Sequence, residues 1–160
     1  MLFVLSAFTA PTFAQSSGPV VLGDWKLTET GKQMLANLSK GDVDTYMAAF
    51  ADNAIYTWNN GDSIAGKAAI ASYWKDRILN VIESVNFSNE IWLPVKTIKA
   101  QANEQTGTWL LGWYWTSAKY KTGKSMAQAM QIDLHFNDAG KIDHVYSYLD
   151  RAPINAAMAK

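Results

Sequence analysis

Cysteine is missing from this chain, which excludes disulfides, thiolate chemistry and cysteine-ligated metals. An excess of either charge is missing too: basic and acidic residues number 14 each, and the lysines are scattered rather than clustered. That leaves no electrostatic footprint for nucleic acid or an anionic membrane as a partner. Histidine is scarce. A metal site needs three or so convergent ligands, and His135, His144 and Asp133 are the only set available, a surface zinc site at most. No glycine-rich phosphate loop occurs, since Ala65-Gly66-Lys67 opens a helix without the remaining glycines or a preceding long strand. Ser63, Ser125 and Ser147 have no histidine on the same face, so a hydrolase triad is not supported. The reading is therefore of a chain with no metal and no cofactor. Repeats, low-complexity tracts and interior linkers are likewise missing.

What is present is aromatic surface. Seven tryptophans and seven tyrosines in 160 residues must be buried or must line a cavity. A chain of this length, nearly half of it hydrophobic, builds one domain with a substantial core. At the N-terminus, Met1–Ala14 is apolar, too short to span a bilayer, and ends in Thr12-Phe13-Ala14, small residues at the two positions a signal peptidase reads. It is expected to be a cleaved signal peptide, although no lysine or arginine precedes Lys26. Residues 15–23 then form a flexible lead, the domain proper runs over 24–153, and 154–160 is a tail or short helix. The expected location is periplasmic or secreted.

Periodicity predicts helices first and strands after. Asp24–Lys40 carries Met34, Leu35 and Leu38 at helical spacing, with Gly31 weakening the middle. Asp42 caps a second helix over Val43–Ala51, and Asp52-Asn53 breaks it. Ala54–Trp58 and Ser63–Ala65 are short strands around Asn59–Asp62. A third helix runs from Gly66 to about Val81. Val85–Ala100 is a long strand bent at Pro94, because proline cannot donate to a ladder. Asn103-Glu104-Gln105 turns it into Thr106–Ala118, of which both faces are apolar, so alternation leaves open which one is internal. Arg151–Lys160 is compatible with a short helix capped by Asp150. The order argues for an α+β domain with helices on one face of an antiparallel sheet.

The best-defined stretch is Met126–Asp150, two strands folded back through Asn137-Asp138-Ala139-Gly140, with Gly140 suited to a left-handed turn position. Gln128, Met130, Ile132, Leu134 and Phe136 share one face, and Gln131, Asp133 and His135 the other. Counting from Phe136 opposite Lys141 places Asp133 opposite His144, Gln131 opposite Tyr146, Ile132 opposite Val145 and Met130 opposite Ser147. An Asp133–His144 pair resembles an acid–base arrangement, but on an outer face it more readily fixes register or serves a dimer contact.

Three motifs carry a resemblance. Phe50-Ala51-Asp52-Asn53-Ala54, then Ser63-Ile64-Ala65-Gly66-Lys67 with Ile70, then Phe136–Ile142 resemble in order and spacing the nuclear transport factor 2-like superfamily, and within it a SnoaL-like domain. The resemblance covers roughly Asp24 to Pro153. It implies a cone-shaped curved antiparallel sheet wrapped around three N-terminal helices, an internal pocket, and often a dimer through the outer sheet face. Members include enzymes and binding domains, so fold alone does not give function. Where ketosteroid isomerase-like members place a general-base aspartate and two oxyanion-hole groups, this chain resembles them in position but holds Trp58, Met34 and Ile132. Where cyclase-like and epoxide hydrolase-like members place an acid on the last strand, it holds Ser147. The expectation is a pocket that binds a small apolar or aromatic molecule, with Met34, Tyr56, Trp58, Trp74, Gln128, Met130, Ile132, Val145 and Ser147 as ligand contacts and no catalytic set. One alternative is an isomerase-, cyclase- or dehydratase-type enzyme using Tyr56, Asp62 or Gln128. The other is a dimerisation module through Gln131, Asp133, His135, His144, Tyr146 and Tyr148, which is also the expected homodimer face.

Overall fold

A computed structural model describes residues 18–99 and 105–159. The segment read as a signal peptide and the turn residues Asn103-Glu104 lie outside the described residues. The elements run β1 (Val20–Leu22), α1 (Leu27–Ser39), α2 (Val43–Met47), β2 (Phe50–Trp58), β3 (Ser63–Ala65) and α3 (Lys67–Asp76). A π-helical turn, Arg77–Val81, continues α3, and then come β4 (Ile82–Thr97), β5 (Gly107–Tyr120), β6 (Ser125–Phe136), β7 (Ile142–Tyr148) and α4 (Arg151–Met158). The strands form one curved, unclosed sheet in the order β1-β4-β5-β6-β7-β2-β3. All neighbours are antiparallel except β2 and β7, which run parallel. Helices on one face of a mostly antiparallel sheet make this an α+β fold, as the sequence order predicts.

Local chemistry accounts for the helix ends. The Asp42 carboxylate accepts the Thr45 N–H at 3.0 Å, and the Asp150 carboxylate accepts the Ala152 N–H at 2.8 Å, each satisfying an orphan donor of a first turn. The buried stripe of α1, Met34, Leu35 and Leu38, faces the sheet. Gly31, which reads as a weak point in that helix, is where the Trp92 indole packs. A Cβ there would lie 2.8 Å from three atoms of the ring.

Several expectations change. Val20–Leu22, assigned to the flexible lead, is an edge strand paired with β4. The second helix stops at Met47, and residues expected to extend and break it open β2 instead. Phe50 pairs with Ile142, and the Ile142 N–H reaches the Ala49 carbonyl at 2.9 Å. Sheet pairing with a distant strand has overridden local helical periodicity there. The irregularities in β4 fall between Ile82 and Ser84 and between Ser88 and Ile91, the second at Asn89 with φ of 53°, rather than at Pro94. Pro94 is buried in register with Leu110, and its carbonyl accepts the Gly23 N–H at 2.9 Å.

The β6–β7 register is also corrected. The turn closes one position wider than counted, since the Asn137 N–H reaches the Lys141 carbonyl at 2.9 Å and Phe136 pairs with Ile142. A bulge at Asp143 then shifts the ladder again. From His144 onward the two one-residue displacements together preserve which face each side chain occupies but change every partner, whereas Ile142 and Asp143 exchange faces and Ile142 enters the core. Asp133 lies opposite Tyr146, Gln131 opposite Tyr148, Ile132 opposite Ser147, and Leu134 opposite Val145.

Candidate functional site

The inner sheet face and the helices enclose a cavity of about 90 Å³, several times what one water needs. Helix α1 contributes Met34, Leu35 and Leu38, and α2 contributes Tyr46. Strand β2 contributes Tyr56 and Trp58, α3 and its π-turn Tyr73, Trp74 and Arg77, and β5 Tyr114 and Thr116. Phe87 and Trp92 on β4, Met130 and Ile132 on β6, Ser147 on β7 and Ile154 on α4 also line the cavity.

Aromatic rings pack edge to face through much of that wall. Tyr56 and Trp58 have centroids 4.7 Å apart, Trp58 and Tyr73 5.2 Å, and Tyr73 and Trp74 5.3 Å. Tyr114 meets Phe87 at 5.4 Å in a perpendicular contact. Such tilted and T-shaped contacts set the ring edges against neighbouring ring faces. The strands position them by period-two alternation, which delivers Tyr56 with Trp58, and Tyr114 with Thr116, to one side.

The polar side chains inside can all donate a hydrogen bond, the indoles and Arg77 only donate, and the hydroxyls also accept. Burial pushes the Tyr46, Tyr56 and Tyr114 phenols well above their ordinary range. Neighbouring phenols add to this at Tyr46 and Tyr114, while the adjacent Ser147 side chain partly offsets it at Tyr56. These hydroxyls therefore stay protonated at any physiological pH. The Trp74 indole N–H lies near the Tyr46 hydroxyl but outside hydrogen-bond geometry, and is buried without a partner. The Thr116 hydroxyl turns to the Met130 sulfur at 3.2 Å. Among the described residues, no aspartate, glutamate or histidine lines the cavity. This arrangement can hold an acceptor oxygen among apolar surfaces, and offers no carboxylate or imidazole to move a proton.

Of the residues singled out in the sequence, Met34, Tyr56, Trp58, Trp74, Met130, Ile132 and Ser147 line the cavity. Gln128 and Val145 do not. Val145 is wholly buried in the core, opposite Leu134. Gln128 points instead at the start of α4, where its amide donates to the Asp150 carbonyl at 3.0 Å and its oxygen accepts the Asp150 N–H at 2.8 Å. Asp62, named for an enzymatic alternative, is an exposed partner of Arg151 at 3.3 Å. Sequence reasoning missed Tyr46, Arg77 and Tyr114. Tyr114 lies in the strand whose two faces look equally apolar, and a lone arginine on a helix carries no motif.

The outer face differs from expectation in its pairs. Asp133 does not meet His144. It accepts from the Gln131 amide at 3.0 Å, and its carboxyl is pushed up by burial and partly offset by that bond. His144 stacks on Tyr146 at 4.2 Å and shares a 3.2 Å hydrogen bond with Thr57. The carboxylate–imidazole contact is Asp143 with His135 at 2.5 Å, a pair created by the bulge. The other His135 ring nitrogen lies 3.1 Å from the Thr106 carbonyl. A Cβ on Gly107 would lie 2.5 Å from that same nitrogen, and its φ of 132° also favours glycine. His135 thus ties the ends of β5, β6 and β7 together.

No protein-family model matches the chain, and no curated protein matches it in sequence. Solved structures do. A candidate polyketide cyclase from Xanthomonas campestris is similar at 18% identity and a TM-score of 0.65, over 82% of this chain and 96% of that one. An NTF2-like protein of unknown function from Burkholderia pseudomallei is similar at 11% identity and a TM-score of 0.66, over 83% and 97%. A protein from Catenulispora acidiphila with a ketosteroid isomerase-like fold, in complex with trimethylamine, is similar at 13% identity and a TM-score of 0.61, over 81% and 92%.

The chain has the nuclear transport factor 2-like fold, the cone class its sequence motifs resemble. At these identities the likeness carries the fold alone, and activity has to be argued from the cavity.

Proposed function

We propose that this chain is an exported, SnoaL-like binding protein that takes a small apolar or aromatic molecule into its cone cavity. One observation carries the reading. The cavity is walled by aromatic and aliphatic side chains, its polar side chains can all donate a hydrogen bond, the unpartnered Trp74 N–H among them, and no acid or imidazole lines it among the described residues. An apolar enclosure with a few placed polar groups suits a ligand with an acceptor oxygen. Its free volume favours molecules about the size of a single ring. Acid–base catalysis of the kind run by the enzymes of this fold lacks its proton carriers here.

Trp58, Trp74 and Trp92 lie in the wall, so their emission reports occupancy. Titration with single-ring aromatic and terpenoid compounds is expected to give saturable quenching. Ile132→Phe, which puts a ring into the free space, is expected to weaken that response at least tenfold, or roughly 1.4 kcal/mol. Quenching by no compound, in protein shown to be folded, would remove the binding reading.

Export and assembly belong to the same proposal. The apolar stretch before Gln15 supports secretion, and exposed Trp113, Trp115 and Tyr148 on the outer sheet face support pairing of two copies. Protein recovered outside the cytoplasm is expected to have an intact mass beginning at Gln15 and to scatter light as twice that mass. An unprocessed mass would sink the first claim, and a monomer at micromolar concentration the second.

A further inference from the structure

Among the described residues, Arg77 is the one permanent charge in the cavity wall. Arg77 opens the π-turn at the end of α3, and π-turns insert a residue into a helix, often at sites of function. Its guanidinium carbon lies 5.7 Å from the centre of the Tyr73 ring, and Nη2 donates to the Met158 sulfur at 3.4 Å, a weak acceptor. Its positive charge also reaches the Tyr120 phenol, another residue of the wall, and opposes the upward push of burial there. Among the described residues Arg77 forms no salt bridge. The contrast is Arg151, which also lies over an aromatic ring, Trp58 at 5.8 Å, but is paired with Asp62.

A partly buried guanidinium beside apolar walls, without a counter-ion among the described residues, is an unfavourable arrangement for the empty protein. A ligand carboxylate would relieve it. The guanidinium is planar and always charged, presents a rigid fork of donors, and pairs bidentately with a group of matching geometry. The body of such a ligand would occupy the space between Tyr73, Trp74, Phe87 and Tyr114. A protonated amine would meet a like charge instead.

Resting on the binding reading above, we propose that Arg77 is the head-group recognition residue of the cavity and that its ligand is a small apolar, single-ring carboxylic acid. The experiment compares benzoate, benzamide and benzylamine by tryptophan quenching and calorimetry, at one pH and ionic strength. Benzoate is expected to bind roughly tenfold to hundredfold more tightly than benzamide, the range of a charge-assisted pair, with benzylamine weakest. Arg77→Gln is expected to abolish the preference, bringing benzoate down to within about threefold of benzamide. Arg77→Lys is expected to keep part of the preference, because charge remains but the fork is lost. Equal binding of benzoate and benzamide by the unaltered protein would overturn the proposal and leave the apolar cavity reading standing. So would a preference that survives Arg77→Gln. Absence of binding by all three would overturn both.

Discussion

Trp92→Ala is expected to lower stability by about 3–5 kcal/mol, and Gly112→Ala by about 1–3 kcal/mol, yet together they should cost clearly less than their sum. Trp92 is 7% exposed and lies in register opposite Gly112. Its indole occupies the space above two glycines, Gly31 on α1 and Gly112 on β5, and its N–H is fixed to the Glu90 carboxylate at 2.9 Å. A methyl group on Gly112 would fall inside the ring. The ring cannot step aside, because α1 closes it from the far side. The backbone at Gly112 is not in the left-handed region, so the penalty is steric rather than conformational. With the indole removed, the methyl enters vacated space and its cost should largely vanish. Urea denaturation of the four proteins of the cycle measures the coupling. Simple additivity would mean that the glycine is there for another reason.

Gln128→Ala is expected to cost about 1–3 kcal/mol and to loosen α4 before the rest of the fold. The Gln128 side chain makes two of its hydrogen bonds to one residue, Asp150, immediately before the helix, and a weaker third to the Met126 sulfur at 3.7 Å. The same Asp150 caps the first turn, so losing the clasp also misplaces the cap. At the far end the Thr122 hydroxyl holds the Ala157 carbonyl at 2.5 Å, which localises the loss to the helix entrance. Amide exchange over Arg151–Met158 should accelerate while the core strands keep their protection. Gln128→Glu should fall between, since it keeps an acceptor for the Asp150 N–H and loses the donor. Unchanged exchange in α4 would refute this assignment. Because Ile154 of α4 lines the cavity, the alanine variant is also expected to release bound ligand faster.

The corrected role of Gln128 marks the limit of what alternation can reveal. Periodicity places a side chain on a face, and it placed Gln128 correctly on the inner one. It does not say how far along the cone that face stops lining a cavity and begins meeting backbone. Val145 fails to reach the cavity for the same reason, at a position where Leu134 fills the space. The fold was largely legible because its information is local, in the helical stripe of α1, the cap at Asp42, and the turn at Gly140. The extension of β2 back to Phe50 was not legible, because it depends on Ile142, a partner far along the chain. Bulges at Asn89 and Asp143 were equally hidden, since no residue type announces an extra position in a ladder. At the site, tyrosines and tryptophans announced that a cavity or core must exist. Arg77 did not announce itself, because its meaning lies in a missing partner, and a missing partner can be seen only in three dimensions.

The parallel pairing of β2 with β7 fixes the order in which the molecule can be finished. Strand β2 belongs to the first half of the chain, yet its sheet neighbour on one side is the last strand. Until β7 is available, β2 and β3 are a two-stranded ribbon cut off from the sheet, with Tyr56 and Trp58 packed only against α3. The long antiparallel run β4 to β6 can form without them. The native cavity cannot, because two of its walls meet only at this seam. Assembly is therefore a closing event governed by contacts of high sequence separation, which are slow to form. A nascent chain stays open until almost its whole length is available.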